Sequence, residues 1–146
     1  MIREIVTDQF SLSQKSILAT PEDLPVVQDL LDTIKAHEQE CVGMAANMIG
    51  VNKNIIVVND NGKYLVMINP IVLKTSGRLY ETEEGCLSHQ GVKKTKRYEK
   101  IKIAYFDERF KKKIKTFQDY LAQIIQHEID HCQGIWRYVN EKDSNN

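Results

Sequence analysis

The sequence predicts an α+β fold, with antiparallel or mixed β-sheet packed against two helices. Three observations carry this. Apolar residues recur at helical spacing in two separated stretches, 20–40 and 118–133. Between them lie short apolar runs rich in β-branched residues. These runs follow one another without helical patterns in between, which is the α+β order and not a series of βαβ units.

The first helix is expected in 20–40. Thr20, with Asp23 three residues later, resembles an N-cap with an acidic first turn. Pro25 is tolerated only in a first turn, so the helix starts near Asp23. Val27, Leu30, Leu31 and Ile34 form its apolar face. Strands are expected at 55–58 and 64–68. They flank Asn59-Asp60-Asn61-Gly62, whose Asn-Gly pair suits a tight hairpin. Further strands are expected at 70–75, 78–82 and 101–106, with 111–116 returning beside the last. The second helix, 118–133, carries Leu121, Ile124, Ile125 and Ile129 on its apolar side, and Gly134 is a natural stop. The polar tail 141–146 is expected to fray.

Bulk properties exclude several classes. A chain of 146 residues is expected to be one domain, 1–146. Such a chain buries roughly 69% of its unfolded surface, enough for a core without disulfides. Twenty basic and 20 acidic residues give zero net charge, which argues against dedicated nucleic-acid or anionic-membrane binding. Three cysteines, an odd number, fit a reducing compartment and not a disulfide framework. The N-terminus shows no secretion signal, and no apolar run is long enough to span a membrane. A soluble, cytoplasmic protein is the expectation.

The chemistry concentrates in His127-Glu128-Ile129-Asp130-His131. On a helix, this spacing places two imidazoles on one face, where both reach one metal ion, with Glu128 beside a metal-held water. The bland alternative is a polar face of solvated histidines. A metal site needs further ligands. One hydrolase class continues the pattern with Gly and then a third His, but here Gly134 is followed by Arg137, which cannot ligate. Only 15 residues follow His131, so the third ligand is sought upstream, among Cys41, Cys86, His89, His37 and several acids. Cys86 stands out beside Gly85, which permits an unusual backbone. A thiolate and two imidazoles leave the fourth tetrahedral position open, as a catalytic site requires. An isolated Cys86 would be read as a small buried hydrophobe.

Three ordered motifs make the chain resemble the peptide deformylase family. They are Gly43-Met44-Ala45-Ala46-Asn47-Met48-Ile49-Gly50, Glu84-Gly85-Cys86-Leu87-Ser88 and the His127 to His131 run. The second and third match the family pattern in full, and the likeness covers nearly the whole chain. It implies a fold of antiparallel and mixed strands around a central helix that bears the histidines. It implies removal of the formyl group from N-terminal formylmethionine of nascent polypeptides in bacteria. The implied cofactor is one divalent transition metal, Fe²⁺, with Zn²⁺ or Ni²⁺ also found bound, held by Cys86, His127 and His131. Glu128 would move the proton from water to the leaving amine. Gly43 and the backbone N–H of Leu87 belong to the implied catalytic surroundings. The implied partners are N-formylmethionyl peptides or nascent chains, with a transient ribosome contact, no membrane and no dedicated nucleic-acid binding.

The chain departs from the family where a Gln side chain serves as oxyanion donor. Met48 stands there, and a thioether donates no hydrogen bond. One lost oxyanion donor typically costs about 10²–10³ in rate. Asn47, beside it, carries an amide. His89 is expected at the pocket edge or in solvent, with a spare ligand as the alternative. Gln123, one turn before His127, is polar where a methionine pocket would prefer an aliphatic residue. Cys41 and Cys132 are expected to be packed thiols, and Arg97 to form a structural ion pair. The basic stretch 93–115 is expected to be a solvated surface, with a patch for ribosomal RNA as the alternative. These departures leave two other functional readings: a diverged metal-dependent amidase on another N-acyl substrate, and a catalytically weak deformylase-like protein.

Overall fold

A computed structural model describes residues 1–135. The expected frayed tail, 141–146, lies outside the described residues. A short helix, α1 (Gln9–Leu12), precedes an arm that reaches Ala19. A 3-10 turn, Pro21–Asp23, then leads into α2 (Leu24–Ala36). The Thr20 backbone N–H donates to Asp23 Oδ2 at 2.8 Å, and the Asp23 N–H returns to Thr20 O at 2.9 Å. Pro25 sits in the first turn of α2, where no N–H is needed. The helix stops at Ala36 and not at 40. Its buried side chains end at Ile34, and Glu38, Gln39 and Glu40 have no apolar surface to bury.

Five strands follow: β1 (Gly43–Ala45), β2 (Ile55–Asp60), β3 (Lys63–Cys86), β4 (His89–Phe106) and β5 (Lys112–Gln118). They form one antiparallel sheet in the order β1-β2-β3-β4-β5. The parallel pairing seen among the described residues is a lone bridge between Ile17 and Lys53. The hairpin at 59–62 forms as expected. Asn61 and Gly62 take φ of 52° and 92°, and Asn59 Oδ1 accepts the Gly62 N–H at 2.6 Å.

The segments 64–68, 70–75 and 78–82 are one long bent strand, not three. The residues that read as breaks are bulges. The register shifts between Ile68 and Ile71, across Asn69 (φ 53°) and Pro70, and again between Ser76 and Leu79, across Gly77 (φ 74°). A bulge accommodates both a left-handed residue and a proline that cannot donate to the ladder. Residues 89–100 extend β4 well before 101. Their inward face carries Thr95 and Arg97, so no apolar alternation marks them as strand.

The sheet is covered on both faces. Ile55, Val57, Val66 and Ile68 pack with Val27, Leu30 and Ile34 of α2. Ile56, Val58, Met67, Ile101, Ile103 and Tyr105 pack on the other side with α3 (Asp119–Cys132), through Ala122, Ile124 and Ile125. Double-sided burial explains why 55–58 is a continuous apolar run. Helix α3 touches β1, β2, β4 and β5. Gly134 follows it at φ 75° as the expected stop.

Candidate active site

One face of α3 lines a cavity of about 590 Å³ with Tyr120, Gln123, Ile124, His127 and Glu128. These positions recur at helical spacing, and the opposite face is held in the core by Ala122, Ile125 and Cys132. The other wall comes from Gly85, Cys86 and Leu87 at the tip of the β3–β4 hairpin. Cys41, Val42 and Gly43, leading into β1, close a third side.

Cys86, His127 and His131 place one donor atom each within 4.8 Å of one another. Cys86 Sγ lies 3.1 Å from His131 Nε2. Donors about 2.0–2.3 Å from one tetrahedral ion stand about 3.4–3.6 Å apart, so the trio could close on an ion with small shifts. The negative groups around His127 favour a cation here, a proton in the empty site or a metal ion in its place. Burial opposes a positive His127, but Glu128, Cys86 and Glu84 outweigh it and lift its proton affinity to about 10. Burial, with His127 and His89 nearby, holds His131 down to about 3, leaving a neutral imidazole.

The remaining sequence candidates fall elsewhere. His37 pairs with Glu40 at 2.8 Å near the surface. The Cys41 thiol donates to Gly43 O at 3.0 Å, and burial beside Glu128 pushes it up to about 12. Cys132 is buried and likewise pushed up to about 12. The His89 ring stacks on that of His131 at 5.6 Å but does not belong to the donor trio.

A buried network braces His127. Its Nδ1 meets Glu84 Oε1 at 2.8 Å, leaving Nε2 for the cavity. Arg97 grips Glu84 with two bonds, Nε to Oε2 at 3.0 Å and Nη2 to Oε1 at 2.7 Å, and reaches Asp130 Oδ2 with Nη1 at 2.6 Å. Burial alone would raise the Glu84 carboxyl. The bonds from His127 and Arg97 win and bring it down to about 2. Arg97 thus makes the ion pair expected of it. The bracing role of Glu84 and the part of Asp130 are not evident from the sequence. Strand register brings Glu84 and Arg97 together, since Tyr80 opposite Arg97 and Glu84 opposite Lys93 put the two on one face.

Glu128 is 3% exposed, and its Oε1 has no hydrogen-bond partner among the described residues. Burial lifts its carboxyl to about 7 against the pull of His127. Gly43 makes room for it. A Cβ there would stand 2.7 Å from Glu128 Oε2 and 2.7 Å from Ile124 Cγ2. Leu87 lines the cavity, but Met48 does not. Met48 is packed in the α2-side core, and its sulfur accepts the Ala45 N–H at 3.5 Å. Asn47 is also buried, and its Nδ2 donates to His131 O at 2.8 Å, tying the first motif to the turn that carries a histidine.

Residues 2–145 match the family model described as polypeptide deformylase. The chain belongs to the peptide deformylase family. It is 52% identical over 135 residues to a peptide deformylase of Clostridium beijerinckii, spanning 92% of this chain and 98% of that one. A second relative, peptide deformylase 2 of Clostridium perfringens, is 39% identical, over 75% of this chain and 72% of the relative. The fold superposes on a crystal structure of peptide deformylase from Thermotoga maritima with a TM-score of 0.87, covering 96% and 99% of the two chains at 23% identity. The Synechococcus elongatus deformylase in complex with actinonin gives 0.85 at 29% identity, covering 98% and 82%. As a deformylase the chain is a hydrolase of protein biosynthesis, and the family is metal-dependent.

Proposed function

We propose that this cavity hydrolyses the N-formyl amide of formylmethionyl peptides, with Cys86, His127 and His131 holding the metal and Glu128 moving the proton. The observation that carries this is that Cys86, His127 and the buried Glu128 carboxyl line one cavity, with His131 Nε2 3.1 Å from Cys86 Sγ completing the donor trio. Bound there, a divalent transition metal supplies Lewis-acid polarisation and brings the pKa of water towards neutrality. Thiolate and imidazole suit Fe²⁺, which we propose as the working ion, and they also accept Zn²⁺ or Ni²⁺. Glu128 takes a proton from the attacking water at Oε1. It returns that proton to the amine nitrogen as the C–N bond breaks, giving formate and a free N-terminus. The Leu87 backbone N–H is the proposed donor to the developing oxyanion, since Met48 has no N–H to offer.

The substrate is read as an extended peptide. Strand β1 lies at one edge of the sheet, and its Gly43 lines the cavity, so a peptide can add along that edge as a strand. The crystal structure of an Acinetobacter baumannii deformylase, with TM-score 0.83 and 25% identity, holds a Met-Ala-Ser peptide. We propose no more than a transient ribosome contact. Lys94 and Lys96 stand opposite Glu83 and Glu81, so part of the basic stretch is a neutralised cross-strand ladder. We further propose that 1–146 is one domain working in the reducing cytoplasm. Among the described residues no helix is long and apolar enough to cross a membrane.

The test is turnover of formyl-Met-Ala-Ser by iron-loaded protein prepared without oxygen. Glu128→Gln is expected to lower kcat by about 10²–10⁴ with metal content unchanged. Equal turnover by the two proteins would sink the assignment.

A further inference from the structure

The cavity wall one helical turn before His127 carries an amide. Gln123 is half-buried there, and its Oε1 accepts a hydrogen bond from the Tyr80 hydroxyl at 2.9 Å. Tyr80 is itself held in place. It is half-buried on β3, stands opposite Arg97, and carries the Arg78 guanidinium over its ring at 5.9 Å. A phenol that donates to Oε1 fixes which end of the amide points away, and that end is the NH₂ group. Among the described residues, this NH₂ makes no hydrogen bond, yet it is not a sealed-in orphan. Gln123 lines the cavity, so a ligand there is within reach of this group.

Distance links it to the substrate. Four residues of helix separate Gln123 from His127, about 6 Å along the axis. In a formylmethionyl peptide the sulfur lies about the same distance from the formyl carbon, through N, Cα, Cβ and Cγ. A side chain running back along the helix from a formyl group held at His127 would bring its sulfur level with Gln123, which lines the same cavity.

We propose that Gln123 is a specificity-determining residue whose amide N–H donates to an acceptor on the first side chain of the formylated peptide, the methionine sulfur or an oxygen carried on it. This rests on the deformylase reading above. Two consequences follow from the chemistry. Norleucine has the shape of methionine but a CH₂ in place of the acceptor, so it leaves the amide unpaired. Methionine sulfoxide offers a stronger acceptor than a thioether, so this wall accepts a residue that a purely apolar wall rejects.

The experiment measures kcat/KM of metal-loaded protein on three formyl peptides that differ only in the first residue: methionine, norleucine and methionine sulfoxide. Affinities of the three unformylated product peptides are measured in parallel, which gives the same comparison without catalysis. Wild type is expected to favour methionine over norleucine by about three- to tenfold and to take the sulfoxide within about tenfold of methionine. Gln123→Leu is expected to bring the methionine to norleucine ratio to about one and to lower the sulfoxide at least tenfold further. Tyr80→Phe, which lets the amide turn, is expected to shrink both ratios in the same direction. If Gln123→Leu and Tyr80→Phe lower all three substrates equally, the amide is only a brace for Tyr80 and the proposal is overturned. Unchanged ratios with methionine turnover intact overturn this proposal alone. Absence of deformylation by wild type strikes the underlying activity, and the product-peptide affinities then still decide for or against Gln123.

Discussion

Glu128 can sit beside the proposed metal donors because residue 43 has no side chain. The glycine is needed here for space and not for backbone freedom, since a Cβ would meet a carboxylate oxygen on one side and Ile124 on the other. Gly43→Ala is expected to push Glu128 from its position and lower kcat/KM on a formyl-Met peptide by about 10²-fold. Crowding is expected to cost about 1–3 kcal/mol of stability, read from urea unfolding. Metal content should hold, which separates a misplaced base from a lost ion. A wild-type rate in this variant would show that the gap does not place Glu128. At this scale the residue types were legible in the sequence, but the directions of their side chains were not. Met48 reads as a missing donor whatever the fold, because sulfur carries no N–H. That it packs into the core while Asn47 donates to His131 O depends on how the turn after β1 meets α3.

The β3–β4 hairpin and α3 meet through Arg97. Arg97 is 3% exposed, and its guanidinium joins Glu84 of the hairpin to Asp130 of the helix, so the strand that presents Cys86 and the helix that presents the histidines are locked together. Arg97→Met would leave Glu84 and Asp130 facing each other without their cation. An expected loss of about 3–5 kcal/mol follows. Adding Glu84→Gln should recover part of it. The same network sets an acid limit. The Glu84 carboxyl is depressed in the folded protein to about 2, from 4.5 when unperturbed. Its contribution is therefore present above about pH 4.5 and lost as pH falls through about 2. Urea midpoints measured against pH should fall across that window in wild type and fall less in Arg97→Met, where the folded-state carboxyl is no longer held as low. The hairpin was only partly legible beforehand. Asn69-Pro70 and Ser76-Gly77 carry the marks of turns, and only pairing with β4 converts them to bulges within one strand. The buried Thr95 and Arg97 hid the first half of β4 from any reading based on apolar alternation.

For the whole molecule, a metal held by the proposed donors would act as a cross-link. Cys86 and His131 are 45 residues apart and sit on different elements, yet their donor atoms are 3.1 Å apart. Loading the ion is expected to raise the thermal midpoint, by about 4 kcal/mol of added stability at a thousandfold excess over Kd. Removing it with a chelator should reverse the shift, and Cys86→Ser should abolish most of it. An unchanged midpoint on loading would contradict a site shared by hairpin and helix. The amino-acid sequence by itself determined the α+β order, the position of both main helices, the hairpin at 59–62, the chemical set of Cys86, His127, His131 and Glu128, and the family. Those follow from local spacing and local chemistry: two histidines four apart on a helix share a face in any fold. Only the tertiary structure decided that Cys86 reaches them, that Glu84 and Arg97 hold His127, that Gly43 leaves space for Glu128, and that Tyr80 turns the amide of Gln123. Each of those joins residues distant in the chain, and their meeting depends on strand register and on which face of the sheet each helix covers, which no local pattern encodes.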